Sequence, residues 1–127
     1  MAITPWLHYA DPTLVPLCRS APGSNVPISD TSASIKGFPL SSAFAMGKFA
    51  LRGLAQGAAR ELSPHGVHVA HFIIDGAVRS ASRPESPDRP DSTLAPDGIA
   101  QSYLSVLQQP QNAWSHEIDL RPWVERF

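Results

Sequence analysis

The strongest constraint on the fold lies between residues 41 and 79, where a helical period gives way within a few residues to an unbroken apolar run. Leu51, Leu54, Ala55, Ala58 and Leu62 recur at three- and four-residue intervals and predict one apolar face of a long helix. Lys48, Arg52, Gln56 and Arg60 recur every fourth residue and line another face. Ser63-Pro64-His65-Gly66 reads as a turn. Residues 67–74 read as a strand covered on both sides, the pattern of a parallel sheet. Asp75-Gly76 closes the stretch with a tight turn. Helix, short turn and buried strand together predict layered α/β architecture.

The flanking sequence is less regular. Residues 1–24 carry Pro5, Pro12, Pro16 and Pro22 with no sustained period, which predicts an irregular, poorly ordered Pro-rich arm. Val26 and Ile28 suggest a short strand over 25–29, and Pro27 assigns it to an edge or terminal position. A hydroxyl-rich loop follows over 29–34, and Ser41 or Ser42 is a good N-cap for the long helix. Pro84, Pro87 and Pro90 mark residues 80–93 as a loop or lid. Pro96 suits the first turn of a second helix over 96–108, with Ile99, Tyr103 and Leu107 as its apolar stripe. Trp114, His116, Ile118 and Leu120 alternate with polar residues and predict a half-buried strand.

Composition narrows the function classes. The 127 residues are 43% hydrophobic and 17% charged, globular values for at most one domain. A net charge of −1 with scattered basic residues argues against a nucleic-acid surface. Cys18 stands alone, which excludes an internal disulfide and a Cys-rich zinc site. No apolar run has membrane-spanning length, and no basic-then-apolar leader opens the sequence. A soluble, cytoplasmic chain is the expectation. His68 and His71 sit three apart on a strand and so face opposite ways, which keeps them from sharing a metal. His65, His68, His71 and His116 read as structural or solvent-facing, and no metal site is expected.

The run Ala43-Phe44-Ala45-Met46-Gly47-Lys48-Phe49-Ala50-Leu51 resembles the active-site helix of the short-chain dehydrogenase/reductase family, which carries Tyr-x-x-x-Lys there. The strand and turn over 66–76 resemble the family's next strand, and the second helix and last strand resemble the end of its sheet. The likeness covers residues 25–127. It implies an incomplete Rossmann-like, doubly wound parallel sheet of about three strands and two helices, the C-terminal half of the family's domain. It also implies a small-molecule substrate and an NAD or NADP cofactor.

The family's site then maps onto single residues. Lys48 matches the lysine that tunes the tyrosine and holds the nicotinamide ribose. Thr31 or Ser32 falls at the spacing of the serine that binds the substrate oxygen. Asp75 and Gly76 fall near the nicotinamide. The tyrosine position, however, holds Phe44, whose ring has no proton to exchange. The family's pyrophosphate turn, Gly-x-x-x-Gly-x-Gly, is formed by none of the eight glycines. Two expectations follow. One is a reductase-like half that is inactive as this chain. The other is a non-catalytic module that pairs with itself or a partner through the helix of residues 41–62, where Gly53 and Gly57 allow close approach.

Overall fold

The computed structural model describes residues 24–126. The expected arm over 1–24 lies outside these residues except for Ser24, whose carbonyl accepts a hydrogen bond from the His68 amide. Three strands, β1 (Asn25–Thr31), β2 (His68–Ile74) and β3 (Glu117–Leu120), form a parallel sheet in the order β1-β2-β3. Parallel neighbours need a crossover. Helix α1 (Ser42–Leu62) joins β1 to β2, and α2 (Pro96–Leu107) joins β2 to β3. This is the expected α/β arrangement, an open Rossmann-like sheet.

Adjacent residues of β2 separate the two helix layers. Phe72 stacks on Tyr103 of α2, with ring centroids 3.7 Å apart. His71 turns the other way, toward charged groups that α1 also contacts. The helices therefore cover opposite faces. Because both crossovers advance in the same direction along the sheet, they have opposite hands. The core under α2 is Ala70, Phe72 and Val106, with Tyr103, Ile118 and Leu120 packed against it. On the other face Ala45 and Ala55 are the buried residues of α1, and their small side chains let the helix lie close to Val67, Val69 and Ile73.

Several expectations change in detail. β1 runs through Thr31 rather than ending at Ser29, because Asp30 and Thr31 continue the ladder opposite Ile73 and Ile74. Pro27 is tolerated because β1 pairs only with β2 among the described residues. The long helix starts after Ser41, but the Ser41 hydroxyl donates to the Phe38 carbonyl at 2.9 Å instead of capping the helix. Leu54 does not join the buried stripe and is 64% exposed. Lys48 and Arg52, on the helix's other face, reach onto the sheet to Asp30 and Glu117. His68 and His71 point to opposite faces as expected, and both are buried.

Gly66 and Gly76 are the positions where the chain needs glycine. Gly66 ends the turn after α1 at φ 79°, in the left-handed region. Gly76, at φ 149°, follows Asp75, and a Cβ there would lie 2.7 Å from Cδ of Pro122. No helix of the described residues is long and apolar enough to cross a membrane.

Candidate functional site

The polar groups run from the C-terminal end of β1 through the middle of β2 to the start of β3, on the face covered by α1. Asp30 comes from β1, where strand alternation places it on the same face as Val26 and Ile28. Its side chain is fully buried. Oδ1 accepts from the Thr31 amide at 2.8 Å and pairs with Lys48 Nζ at 3.1 Å. Oδ2 lies 3.3 Å from His71 Nε2. The other ring nitrogen, Nδ1, is 3.2 Å from Oε2 of Glu117 on β3. Arg52 closes the row with a two-pronged contact to Glu117, Nε to Oε2 at 2.8 Å and Nη2 to Oε1 at 2.7 Å.

Five ionisable groups thus form one line across three strands, with both ends anchored on α1. Lys48 and Arg52 are four residues apart, so one helical turn separates the two anchors. The Arg52 hydrogen bond, reinforced by the His71 contact and by charge attraction, holds the Glu117 carboxyl below its usual range against the opposing effect of burial. The same contact with Glu117 raises the Arg52 guanidinium further. Bidentate guanidinium–carboxylate pairs are the strong, directional kind.

A second cluster stands where β2 ends. The Asp75 carboxylate is nearly buried and pairs with Lys36 Nζ at 3.2 Å and with Arg121 at 3.6 Å. Arg121 also pairs with Asp119. The Asp75 amide donates to the Leu120 carbonyl at 2.9 Å, which ties the exit of β2 to β3.

Of the residues singled out in the sequence, Thr31 and Lys48 meet through Asp30. The Thr31 hydroxyl is buried and has no hydrogen-bond partner among the described residues. Ser32 opens a short 3-10 turn over Ser32–Ser34, and its carbonyl accepts from the Ile35 and Lys36 amides. Phe44 is one turn before Lys48, with the ammonium 5.6 Å from its ring centroid, a cation–π distance. Asp75 and Gly76 lie just past Ile74, which pairs with Thr31, so they share the same end of the sheet. Asp75 is engaged by cations, and Gly76 is packed against Pro122.

Asp30, His71, Glu117 and Arg52 were not anticipated as members of the site. The signal was present in the alternation. Asp30 follows Val26 and Ile28 at even spacing, His71 follows Val67 and Val69, and Glu117 alternates with Ile118. Asp30 and His71 are polar groups at inward positions of their strands, and Glu117 is a partly exposed one at the start of β3. Among the described residues no group of three or more histidine, cysteine or acidic side chains is arranged to hold a metal.

No family model matches the sequence. Over 46 residues, 36% of the chain, it is 50% identical to an L-2,3-butanediol dehydrogenase of Corynebacterium glutamicum, of which those residues are 17%. A short-chain dehydrogenase from Rhodopseudomonas palustris superposes with a TM-score of 0.61 at 36% identity, over 80% of this chain and 40% of the other. An alcohol dehydrogenase from the archaeon Thermococcus sibiricus, solved with 5-hydroxy-NADP, superposes with a TM-score of 0.69 at 25% identity, over 89% and 47%. The chain thus spans less than half the length of these solved relatives. By sequence and by fold, the chain matches part of known short-chain dehydrogenases/reductases.

Proposed function

We propose that these residues form the nicotinamide-ribose and substrate-oxygen side of an NAD(P)-dependent oxidoreductase site, and that the chain alone does not complete the reaction. The observation that carries this reading is the meeting of Thr31 and Lys48 on one buried carboxylate at the C-terminal ends of the strands. Ligands of open α/β sheets bind at that end.

The residues fit the cofactor's chemistry. An ammonium has three donors, and Asp30 takes one from Lys48, leaving others for ribose hydroxyls. The unpartnered Thr31 hydroxyl, or that of Ser32, is suited to a substrate oxygen. Bound NAD or NADP would supply the hydride chemistry. Asp75 and Gly76 form the neighbouring wall. Phe44 stands in the tyrosine's place and cannot exchange a proton, which forgoes a contribution of about 10²–10⁴-fold. The 127 residues contain no Gly-x-x-x-Gly-x-Gly turn, so pyrophosphate contacts would have to come from outside them. The relatives' names make small alcohols and their ketones the first substrates to try. A cytoplasmic location belongs to the same proposal.

Titration with NADH and NADPH, followed by tryptophan fluorescence, tests this reading. Saturable binding that Lys48→Met abolishes supports it. Absence of saturable binding overturns it for this chain.

One observation favours a second reading, a non-catalytic module that pairs through α1. Phe44, Met46, Phe49 and Leu54 are large apolar side chains exposed on that helix, and Gly53 and Gly57 have open space above them. Sedimentation equilibrium decides it: a dimer weakened by Leu54→Glu supports pairing, and a monomer rules it out.

A further inference from the structure

The buried centre of the polar row carries a requirement of its own. A carboxylate only accepts hydrogen bonds, while a neutral imidazole has one N–H and one bare nitrogen. His71 presents both ring nitrogens to carboxylate oxygens, Nε2 to Asp30 and Nδ1 to Glu117. A neutral ring would turn a lone pair toward one of two carboxylates, buried Asp30 or partly exposed Glu117. On the Asp30 side water offers no relief, because the His71 and Asp30 side chains are both fully buried; the Glu117 carboxylate is partly exposed and is held by Arg52.

We propose that His71 is held as a doubly protonated imidazolium between Asp30 and Glu117, and that through Asp30 it acts as a positioning residue for Lys48. The importance of Lys48 rests on the proposed function; the state of His71 does not.

Among the described residues, the charged groups in contact with the ring, and those paired with them, form the row. β1 contributes Asp30, β3 contributes Glu117, and α1 contributes Lys48 and Arg52 at the two ends. Two carboxylates lie between three cations, in strict alternation. Asp30 is gripped from three directions, by the Thr31 amide, Lys48 and His71. This fixes its rotamer, and with it the Lys48 ammonium and the Thr31 backbone. Without a proton on Nε2 of His71, Oδ2 of Asp30 would lose its donor and the carboxylate would be held on one side only.

The same molecule supplies its own controls. His68 Nε2 faces the Ser115 carbonyl at 2.8 Å, and His116 Nδ1 faces the Val69 carbonyl at 3.2 Å. The second nitrogen of each ring is buried and has no partner among the described residues. Each ring thus faces a carbonyl with one nitrogen and meets no carboxylate through an assigned contact.

The test is a side-chain ¹⁵N–¹H correlation spectrum of the histidines in the full ¹⁵N-labelled chain at neutral pH. Two protonated ring nitrogens are expected for His71, and one each for His68 and His116. A bare nitrogen on His71 overturns the proposal, and this measurement needs no variant. Positioning is read from the Lys48 ammonium signal, expected to exchange slowly in the wild type. The signal is expected to be lost in Asp30→Asn and His71→Gln chains whose amide spectra remain dispersed. An unchanged signal in His71→Gln overturns the positioning role. Neither readout involves a dinucleotide, so failure of nucleotide binding overturns only the earlier reading.

Discussion

Coupling between Asp30 and His71 is open to measurement by a double-mutant cycle of Asp30→Asn and His71→Gln. Asn preserves the shape of Asp30 and the oxygen that accepts from the Thr31 amide at 2.8 Å. It removes the negative charge shared by Lys48 and His71, which lie 3.1 Å and 3.3 Å away. Breaking a buried pair by removing one partner costs about 3–5 kcal/mol. His71→Gln retains one donor and one acceptor but loses the charge-assisted bonds, each worth about 1.5–3 kcal/mol. The two side chains share a hydrogen bond, so the cycle should give a coupling of about 1–3 kcal/mol, within the range for residues of one network. Urea unfolding is the assay. With a slope of about 2 kcal/mol per molar, Asp30→Asn should lower the midpoint by about 2 M. Additivity within about 0.5 kcal/mol, the behaviour of independent sites, would refute the row as a unit.

Other outcomes follow from single contacts. Glu117 has a carboxyl held below its usual range by Arg52 and then His71, so it binds fewer protons folded than unfolded. Its stabilisation is present above the unfolded carboxyl value of about 4.3 and is lost as pH falls through the folded value. Melting curves of wild type and Glu117→Gln should therefore differ at pH 7 and converge as the pH is taken below 4. Gly76→Ala sets a Cβ against Pro122 at an unfavourable φ, and should cost about 1–3 kcal/mol in thermal or urea melts. Gly57→Ala, in open space on α1, should instead be neutral or stabilise by about 0.5–1 kcal/mol. Phe72→Ala removes the fully buried ring stacked on Tyr103 and should cost about 3–5 kcal/mol by urea denaturation.

The layer order was legible in the sequence because burial leaves a pattern. β2 is covered on both faces, so residues 67–74 are apolar throughout, apart from two histidines. α1 shows its helical period, and α2 starts at Pro96. That Lys48 and Arg52 meet carboxylates was not legible in the sequence, for a physical reason. Four-residue spacing of cations is the same on a solvated face and on one that meets carboxylates, and the difference lies in what stands opposite. Here the partners are Asp30 and Glu117, and the Arg52–Glu117 pair spans 65 residues of sequence. Asp30 was further hidden by its neighbours, because Asp-Thr-Ser reads as a turn until pairing with Ile73 and Ile74 draws it into the ladder. Leu54 illustrates the reverse error. Its spacing suits the buried stripe, but Ala45 and Ala55 make the close contacts and leave it outside.

In the proposed dinucleotide site, Thr31 and Lys48 form one wall at the C-terminal end of the sheet. Amide chemical-shift mapping of the labelled chain during titration with NADPH tests it most directly. The account predicts saturable shifts centred on Thr31, Ser32, Lys48, Asp75 and Gly76, and their loss in Lys48→Met. Shifts centred on His68 and Trp114 at the opposite end of the sheet, or no saturable shifts, would contradict it.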